Sequence, residues 1–284
     1  MVTPHDLAKL EIPFTKEEIN DIIKHIPFDK SPGPDGFNGL FMNKFWYLIK
    51  DQFYSLCNKF YSNDPDLTSI NTAHIALIPK IPGPEKVADF RPILLVSMSL
   101  KVITKILANR LQKVIIPLLH RNQYGFIKSK SIHDYIAWAF EYLHICHKSK
   151  KDIVLIKLDF EKAFDMVEYT AIMSMLRHLG FGDRFIAWAR NILYTANTSI
   201  ILNGVPGKNI KCKRGVRQGD PLSPLLFVTT AELLQIVINN AWQNGLLSLP
   251  LDNAYGQKYP VLQCADDTLL IMPADNVQIN HLKN

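Results

Sequence analysis

The chain has 284 residues, 48% hydrophobic and 20% charged, enough apolar material to bury a core, so collagen-like, low-complexity and disordered proteins are excluded. Lys+Arg exceeds Asp+Glu by 32 − 26 = +6, a mild basic balance that suits a polyanionic partner without identifying one. Four scattered cysteines (Cys57, Cys146, Cys212, Cys264) lack CxxC spacing, which excludes a disulfide framework and a zinc ribbon and predicts a reduced, intracellular protein.

In chain order, residues 1–10 lack a basic segment followed by an apolar one, so no secretory leader is expected. Thr15-Lys16-Glu17-Glu18 reads as a capping box that opens a helix through Ile19, Ile22, Ile23 and Ile26. Ser31-Pro32-Gly33-Pro34-Asp35-Gly36 is the densest turn signal in the chain. An aromatic-rich helix is predicted over 41–61, a short buried strand over 74–79, and a Pro/Gly loop over 79–84. Residues 99–119 carry a helical apolar face (Ile103, Ile106, Leu107, Leu111) closed by Pro117, with Lys101, Lys105, Arg110 and Lys113 on the opposite side. Ser131-Ile132-His133-Asp134 is a second capping box, opening a helix to about His147.

The texture then changes. Residues 153–158 are almost continuously apolar and β-branched, the pattern of a central strand. Helices are predicted over 169–179 and 184–195, split by Gly180-Phe181-Gly182, then a strand over 198–203 that ends on an Asn203-Gly204 hairpin signal. Glu232, Gln235, Asn239 and Asn240 interrupt the apolar stretch 225–242, which fits a buried helix better than a membrane span. Two short strands, 261–264 and 268–272, flank Ala265-Asp266-Asp267. Helices and strands interleave without a βαβ rhythm, so the expected fold class is α+β.

The chemistry concentrates in a few places. Adjacent Asp266 and Asp267 between apolar strands read either as a solvated turn or as like charges that need a counter-ion, and Mg²⁺ prefers such oxygen ligands. Asp159 ends the other strongly apolar strand, and neighbouring strands would bring three carboxylates to one sheet edge, a ligand set for two divalent ions. Arg214-Gly215-Val216-Arg217-Gln218-Gly219-Asp220-Pro221-Leu222-Ser223-Pro224, two glycines and two prolines around a polar core, opens the apolar stretch at 225. It reads as a capped helix start, or as a loop whose backbone faces a phosphate or base. Lys208, Lys211, Lys213, Arg214 and Arg217 fall within ten residues with no acid between them, which suits a nucleic-acid backbone. His144, Cys146 and His147 have no second ligand pair at zinc spacing and read as surface histidines beside a buried cysteine; Trp138, Trp188 and Trp242 read as packing. No GxxxxGK[ST] occurs, which excludes a P-loop ATPase.

Six motifs in order (Ser31–Gly36, Leu77-Ile-Pro-Lys80, Asp89-Phe-Arg-Pro-Ile93, Leu158-Asp-Phe-Glu-Lys-Ala-Phe-Asp165, Arg217–Pro224, Ala265-Asp-Asp267) closely resemble the reverse transcriptase of non-LTR (LINE-type) retrotransposons, particularly the plant kind, from about Pro13 to Asp275. The resemblance implies a right-hand polymerase fragment: an N-terminal fingers extension over 1–60, then a reverse transcriptase domain over 61–284 with fingers to about 150 and palm from about 151. It implies RNA-directed DNA synthesis with two Mg²⁺ ions, Mn²⁺ being the substitute, on an RNA template, a DNA primer and deoxynucleoside triphosphates, inside the cell in nucleus or cytoplasm and without a membrane. Asp159, Asp266 and Asp267 match its metal-binding carboxylates, and Phe160 a main-chain carbonyl beside them. Phe164 matches the gate that excludes a 2′-hydroxyl, Gln218 and Gly219 the loop against the nascent base pair, and Lys80 and Arg91 the residues that hold the triphosphate. Gln123, Phe126, Lys128 and Lys130 fall in its template-contact segment; with Lys211, Lys213, Arg214 and Arg217 they form the expected nucleic-acid contacts.

Two departures stand out. Cys264 occupies a usually aromatic position, and the chain stops soon after the metal hairpin, before the family's thumb. The alternative is a degenerate remnant that binds nucleic acid without polymerising.

Overall fold

The computed structural model describes residues 4–62, 67–251, 259 and 261–283; the first three residues of the stretch read for a leader lie outside them. Contacts divide the chain into two compact units, each discontinuous: Val2–Val114 with Phe164–Leu226, and Ile115–Ala163 with Phe227–Asn284. This partition does not follow a single cut near residue 150, because each unit is completed by a segment that returns from far along the chain.

The first unit holds α1 (Pro4–Ala8), α2 (Lys16–Lys24), α3 (Gly39–Tyr61), β1 (Thr72–Pro79), β2 (Phe90–Val96) and α4 (Met98–Val114). After the chain returns come the short α6 (Ala163–Met166), α7 (Tyr169–His178), α8 (Asp183–Tyr194), β4 (Asn197–Leu202), β5 (Val205–Pro206) and β6 (Ile210–Lys211). Their sheet runs β2-β1-β4-β5 with β6 also on β4; β1 pairs antiparallel with β2 and parallel with β4. The Asn203-Gly204 turn forms as expected, both residues at positive φ (51° and 80°), which matches a two-residue hairpin to strand twist. Helices bury their apolar stripes around Trp188, whose ring lies 5.3 Å from Phe14 and 5.6 Å from Phe60.

Two local readings need correction. Thr15 does cap α2, its Oγ1 accepting from the Glu18 amide at 3.1 Å, but the Glu18 carboxylate does not complete the box. It accepts instead from Arg110 Nε and Nη2 at 2.8 and 2.7 Å. Arg110, expected on an exposed basic face, is only 6% exposed, because its remaining N–H groups donate to the carbonyls of Leu10, Ile12 and Pro13. A buried guanidinium is tolerated when every donor is matched in this way.

The Ser31–Gly36 loop also acquires a mechanical role. Asp35 Oδ2 accepts from the amides of Met98 at 2.7 Å and Ser99 at 3.4 Å, capping α4 from across 63 positions of sequence. Gly33 lies so close to the Val96–Ser97 backbone that a Cβ there would sit 2.4 Å from the Val96 carbonyl carbon.

The second unit holds α5 (Ile132–Lys148), β3 (Ile153–Leu158), most of α9 (Ser223–Gln243), β7 (Val261–Cys264), β8 (Asp267–Pro273) and α10 (Asn276–Lys283). The Ser131/Asp134 capping box on α5 is complete. Its sheet is antiparallel in the order β3-β8-β7. The β3 strand is therefore an edge among the described strands rather than central, and Leu155 is exposed, as the run of apolar letters does not foretell. One face of the sheet, with Val261, Leu270 and Met272, packs on Ile238 of α9; the other, with Leu262 and Ile271, packs on Tyr142 and Cys146 of α5.

Among the described residues α9 alone is long and apolar enough to cross a membrane. Two of its polar residues are nevertheless partnered inside the unit: Glu232 Oε2 accepts from the His120 amide and lies 2.7 Å from His120 Nδ1, and Gln235 Nε2 donates to the Tyr259 carbonyl. That is the signature of a core helix.

Candidate active site

The two-residue turn Ala265-Asp266 joins β7 to β8, with Cys264 and Asp267 paired across its base. Ala265 has φ 60°, left-handed backbone that alanine rarely adopts. The register of β3 on β8 ends at Leu158 opposite Thr268; one step further puts Asp159 opposite Asp267. All three carboxylates thus belong to one end of one sheet, and side-chain alternation puts Asp159 and Asp267 on the face that also carries Leu155 and Lys157.

Among the described residues, however, no three His, Cys, Asp or Glu side chains are grouped closely enough to hold a metal ion. Lys157 Nζ stands 3.1 Å from Asp267 Oδ1. The donor set, hard oxygens at an exposed sheet end, still fits a divalent cation in kind. Phe160 is exposed beside it. Burial and the two neighbouring aspartates push the Cys264 thiol up, so the residue at the expected aromatic position is a neutral thiol.

In the first unit, Ile78 pairs with Arg91, and the Lys80 amide donates to the Asp89 carbonyl at 2.7 Å. Lys80 and Arg91 therefore stand on one face near the tip of the β1–β2 hairpin, both exposed. The Lys80 ammonium rests on the Ala88 carbonyl at 2.9 Å.

The loop 214–220 is stitched to the segment that carries Phe164. The Gly215 amide donates to the Val167 carbonyl and the Val216 amide to the Phe164 carbonyl, each at 2.8 Å. Gly215 has φ 80°, and a Cβ there would meet the Asp165 carbonyl oxygen at 2.6 Å. Gln218 and Gly219 are exposed, while Asp220 is buried and caps the start of α9 by accepting from the Leu222 and Ser223 amides and the Ser223 hydroxyl.

Arg217 is corrected. It is 8% exposed, and its Nη2 donates to the Asn71 carbonyl at 3.0 Å, so it faces inward rather than toward a nucleic acid. It lines a cavity of about 230 Å³ with Ile75, Leu94, Tyr169 and Asp220, and burial lowers its pKa. Its anchor Asn71, fully buried and bound through Nδ2 to the Ile192 carbonyl and Thr195 Oγ1, gave no sequence signal. Lys211, Lys213 and Arg214 remain exposed, with Glu168 3.8 Å from Arg214.

Gln123 is corrected as well. It is 0% exposed, with its side-chain oxygen engaged by the Gly125 and Ala265 amides. The Lys130 ammonium donates to the Arg121 and Gln123 carbonyls at 2.6 and 2.9 Å, and partial burial lowers its pKa. Of the expected template-contact residues, Phe126 and Lys128 are the exposed ones. The Gln-x-Gly spacing was the available signal for an internal role, since a glycine two residues on marks close backbone approach.

Residues 78–284 match the family described as "Reverse transcriptase (RNA-dependent DNA polymerase)". Over 95% of its length the chain is 26% identical to the transposon TX1 uncharacterized 149 kDa protein of Xenopus laevis, covering 20% of that protein. Over 89% it is 30% identical to the Pol polyprotein of the type-1 retrotransposable element R2 of Nasonia vitripennis, covering 23%. The R2DM Pol polyprotein of Drosophila melanogaster is 29% identical over 78% of the chain, which covers 20% of it. The chain thus spans about a fifth of the length of the curated relatives it matches. These relatives are animal, so the narrower plant affinity is not shown; the non-LTR retrotransposon type is. The chain belongs to the family of reverse transcriptases (RNA-dependent DNA polymerases), of the kind found in non-LTR retrotransposon Pol proteins.

Proposed function

We propose that the chain carries out RNA-templated DNA synthesis for a non-LTR retroelement, transferring deoxynucleotides to a primer 3′-hydroxyl at the Asp159/Asp266/Asp267 end of the β3-β8-β7 sheet. The observation that carries the reading is the register that sets Asp159 opposite Asp267 beside the Ala265-Asp266 turn. When bound, a pair of Mg²⁺ ions would supply the hydroxyl activation and leaving-group neutralisation of phosphoryl transfer. The three carboxylates would hold them, Asp267 exchanging its contact with Lys157 for the stronger charge. Lys80 and Arg91 would grip the triphosphate, Arg through its planar fork and Lys as a compact charge. The Phe164 ring would exclude a 2′-hydroxyl, and the Gln218-Gly219 backbone would lie on the nascent pair. Lys128, Lys211, Lys213 and Arg214 would follow the nucleic-acid backbone.

The test is primer extension on an RNA template with and without Mg²⁺. Asp159→Asn and Asp266→Asn should each lower incorporation by orders of magnitude while circular dichroism stays native. Near-normal extension by either variant refutes the site. Cys264 favours the second reading, nucleic-acid binding without synthesis; duplex binding with no extension by the native chain would select it.

A further inference from the structure

The segment 120–130 contains no Asp or Glu, yet it is built around the Ala265-Asp266 turn. Asn122–Tyr124 joins the free edge of β7: the Gln263 amide donates to the Asn122 carbonyl at 2.9 Å, the Tyr124 amide donates to the Gln263 carbonyl at 2.8 Å, and Gln123 bridges Gln263 in parallel. The fully buried Gln123 Oε1 then accepts from the Gly125 amide at 2.9 Å and the Ala265 amide at 3.2 Å. Gly125 completes the clamp, since a Cβ there would lie 2.2 Å from the Ala265 nitrogen. The segment is rooted at both ends, by buried His120 on Glu232 and by the Lys130 ammonium on the Arg121 and Gln123 carbonyls.

A left-handed alanine persists only where its surroundings over-determine it. The donor that Gln123 satisfies belongs to that alanine, immediately before the two aspartates. We propose that Gln123, with Gly125, is a positioning residue for nucleotide transfer: its carboxamide oxygen holds the Ala265 amide, and so fixes where Asp266 and Asp267 present their carboxylates. The inference rests on the polymerase reading for its catalytic consequence and on geometry alone for the clamp. It stands in place of a template-contact role for Gln123, whose side chain is fully buried.

The variants are Gln123→Met, which keeps the length and removes the acceptor, Gln123→Asn, which shortens the reach, and Gln123→Glu, which keeps an acceptor oxygen. Hydrogen exchange should show the Ala265 and Gly125 amides exchanging about tenfold faster or more in Gln123→Met, with β3 and α5 amides unchanged. In primer extension the same variant should lose about a hundredfold in kcat, with KM for nucleotide and Kd for duplex within about twofold, because a shift near 1 Å at a reacting centre costs that much. Gln123→Glu should recover most of both effects. Should Gln123→Met fail to fold, Gln123→Asn carries the same measurements. Unchanged exchange at Ala265 overturns the clamp, and faster exchange with normal kcat overturns the positioning role. A rise in duplex Kd with unchanged kcat would restore the template contact instead. If the native chain does not extend primers at all, the polymerase reading fails, while the exchange result still decides the clamp.

Discussion

Gly215→Ala offers a direct test of how the loop 214–220 is held. The new Cβ would stand 2.6 Å from the Asp165 carbonyl oxygen, and ordinary contact begins near 3.4 Å, so the two backbones must part by about 0.8 Å. The atom it meets is main chain and cannot rotate away. The separation stretches the Val216–Phe164 and Gly215–Val167 hydrogen bonds, which tie the Gln218-Gly219 loop to the segment bearing the proposed sugar gate. Misplacement of that size should lower kcat/KM for nucleotide incorporation by about tenfold to a hundredfold, roughly 1.4–2.7 kcal/mol of transition-state stabilisation. Left-handed backbone alone costs alanine about 1–2 kcal/mol, so a control must carry that cost without the clash. Gly204→Ala is that control, since Gly204 also has φ 80° and its Cβ would meet nothing within 4 Å. Steady-state extension and thermal melting of both variants separate the effects. If Gly215→Ala matches Gly204→Ala in kcat/KM, the loop is not positioned by this approach.

Phe164→Val should raise the ribonucleotide to deoxyribonucleotide ratio of kcat/KM, by roughly tenfold or more for the loss of one blocking ring; an unchanged ratio in an active enzyme removes the gate. Lys211→Ala with Lys213→Ala should weaken duplex binding about equally for all sequences and make the slope of log K against log salt shallower by roughly one to two, whereas a loss confined to one sequence would mean base readout. Burial pushes the Cys57 thiol up from 9.0 to about 12, so the folded chain holds a proton that the unfolded chain releases. Its contribution is full below pH 9 and declines between the two values by up to about 1.4 kcal/mol per pH unit. Urea midpoints measured from pH 8 to 11 should therefore fall less steeply for Cys57→Ala than for the native chain, and parallel curves would refute the assignment.

What the sequence made legible was local. Thr15 and Ser131 announced helix starts, Asn203-Gly204 announced its turn, and the apolar runs around Asp159 and Asp266 announced the strands that pair. Each is decided within a few residues, where capping, turn geometry and side-chain alternation act. The misreadings share the opposite cause. Arg110 sits at the right helical angle for solvent, and only the Glu18 carboxylate and carbonyls, all 92 to 100 positions away, turn it inward. Gln123 and Arg217 are polar letters in motifs rich in contacts, yet their partners, Ala265 and Asn71, lie 142 and 146 positions distant. The strand β3 looks central because its letters are apolar, whereas its place in the sheet depends on how many neighbours pair with it. No periodicity encodes such distances.

The clasp formed by Ser31–Gly36 bears on how sequence density should be weighed in mutational surveys. Its residues answer to separate demands: Gly33 to a backbone approach, Asp35 to two bare amides at the head of α4, and Gly36 to a φ of 73°. None of these is a demand of chemistry. In a deep mutational scan, substitutions here should deplete the amount of folded protein while leaving turnover per folded molecule untouched, whereas changes at Asp159 or Asp266 should do the reverse. An assay that scores only total product would put both classes at the same height on a tolerance map. Normalising each variant to its soluble yield would pull them apart, and the most conspicuous hexapeptide in the chain would then map to assembly rather than to catalysis.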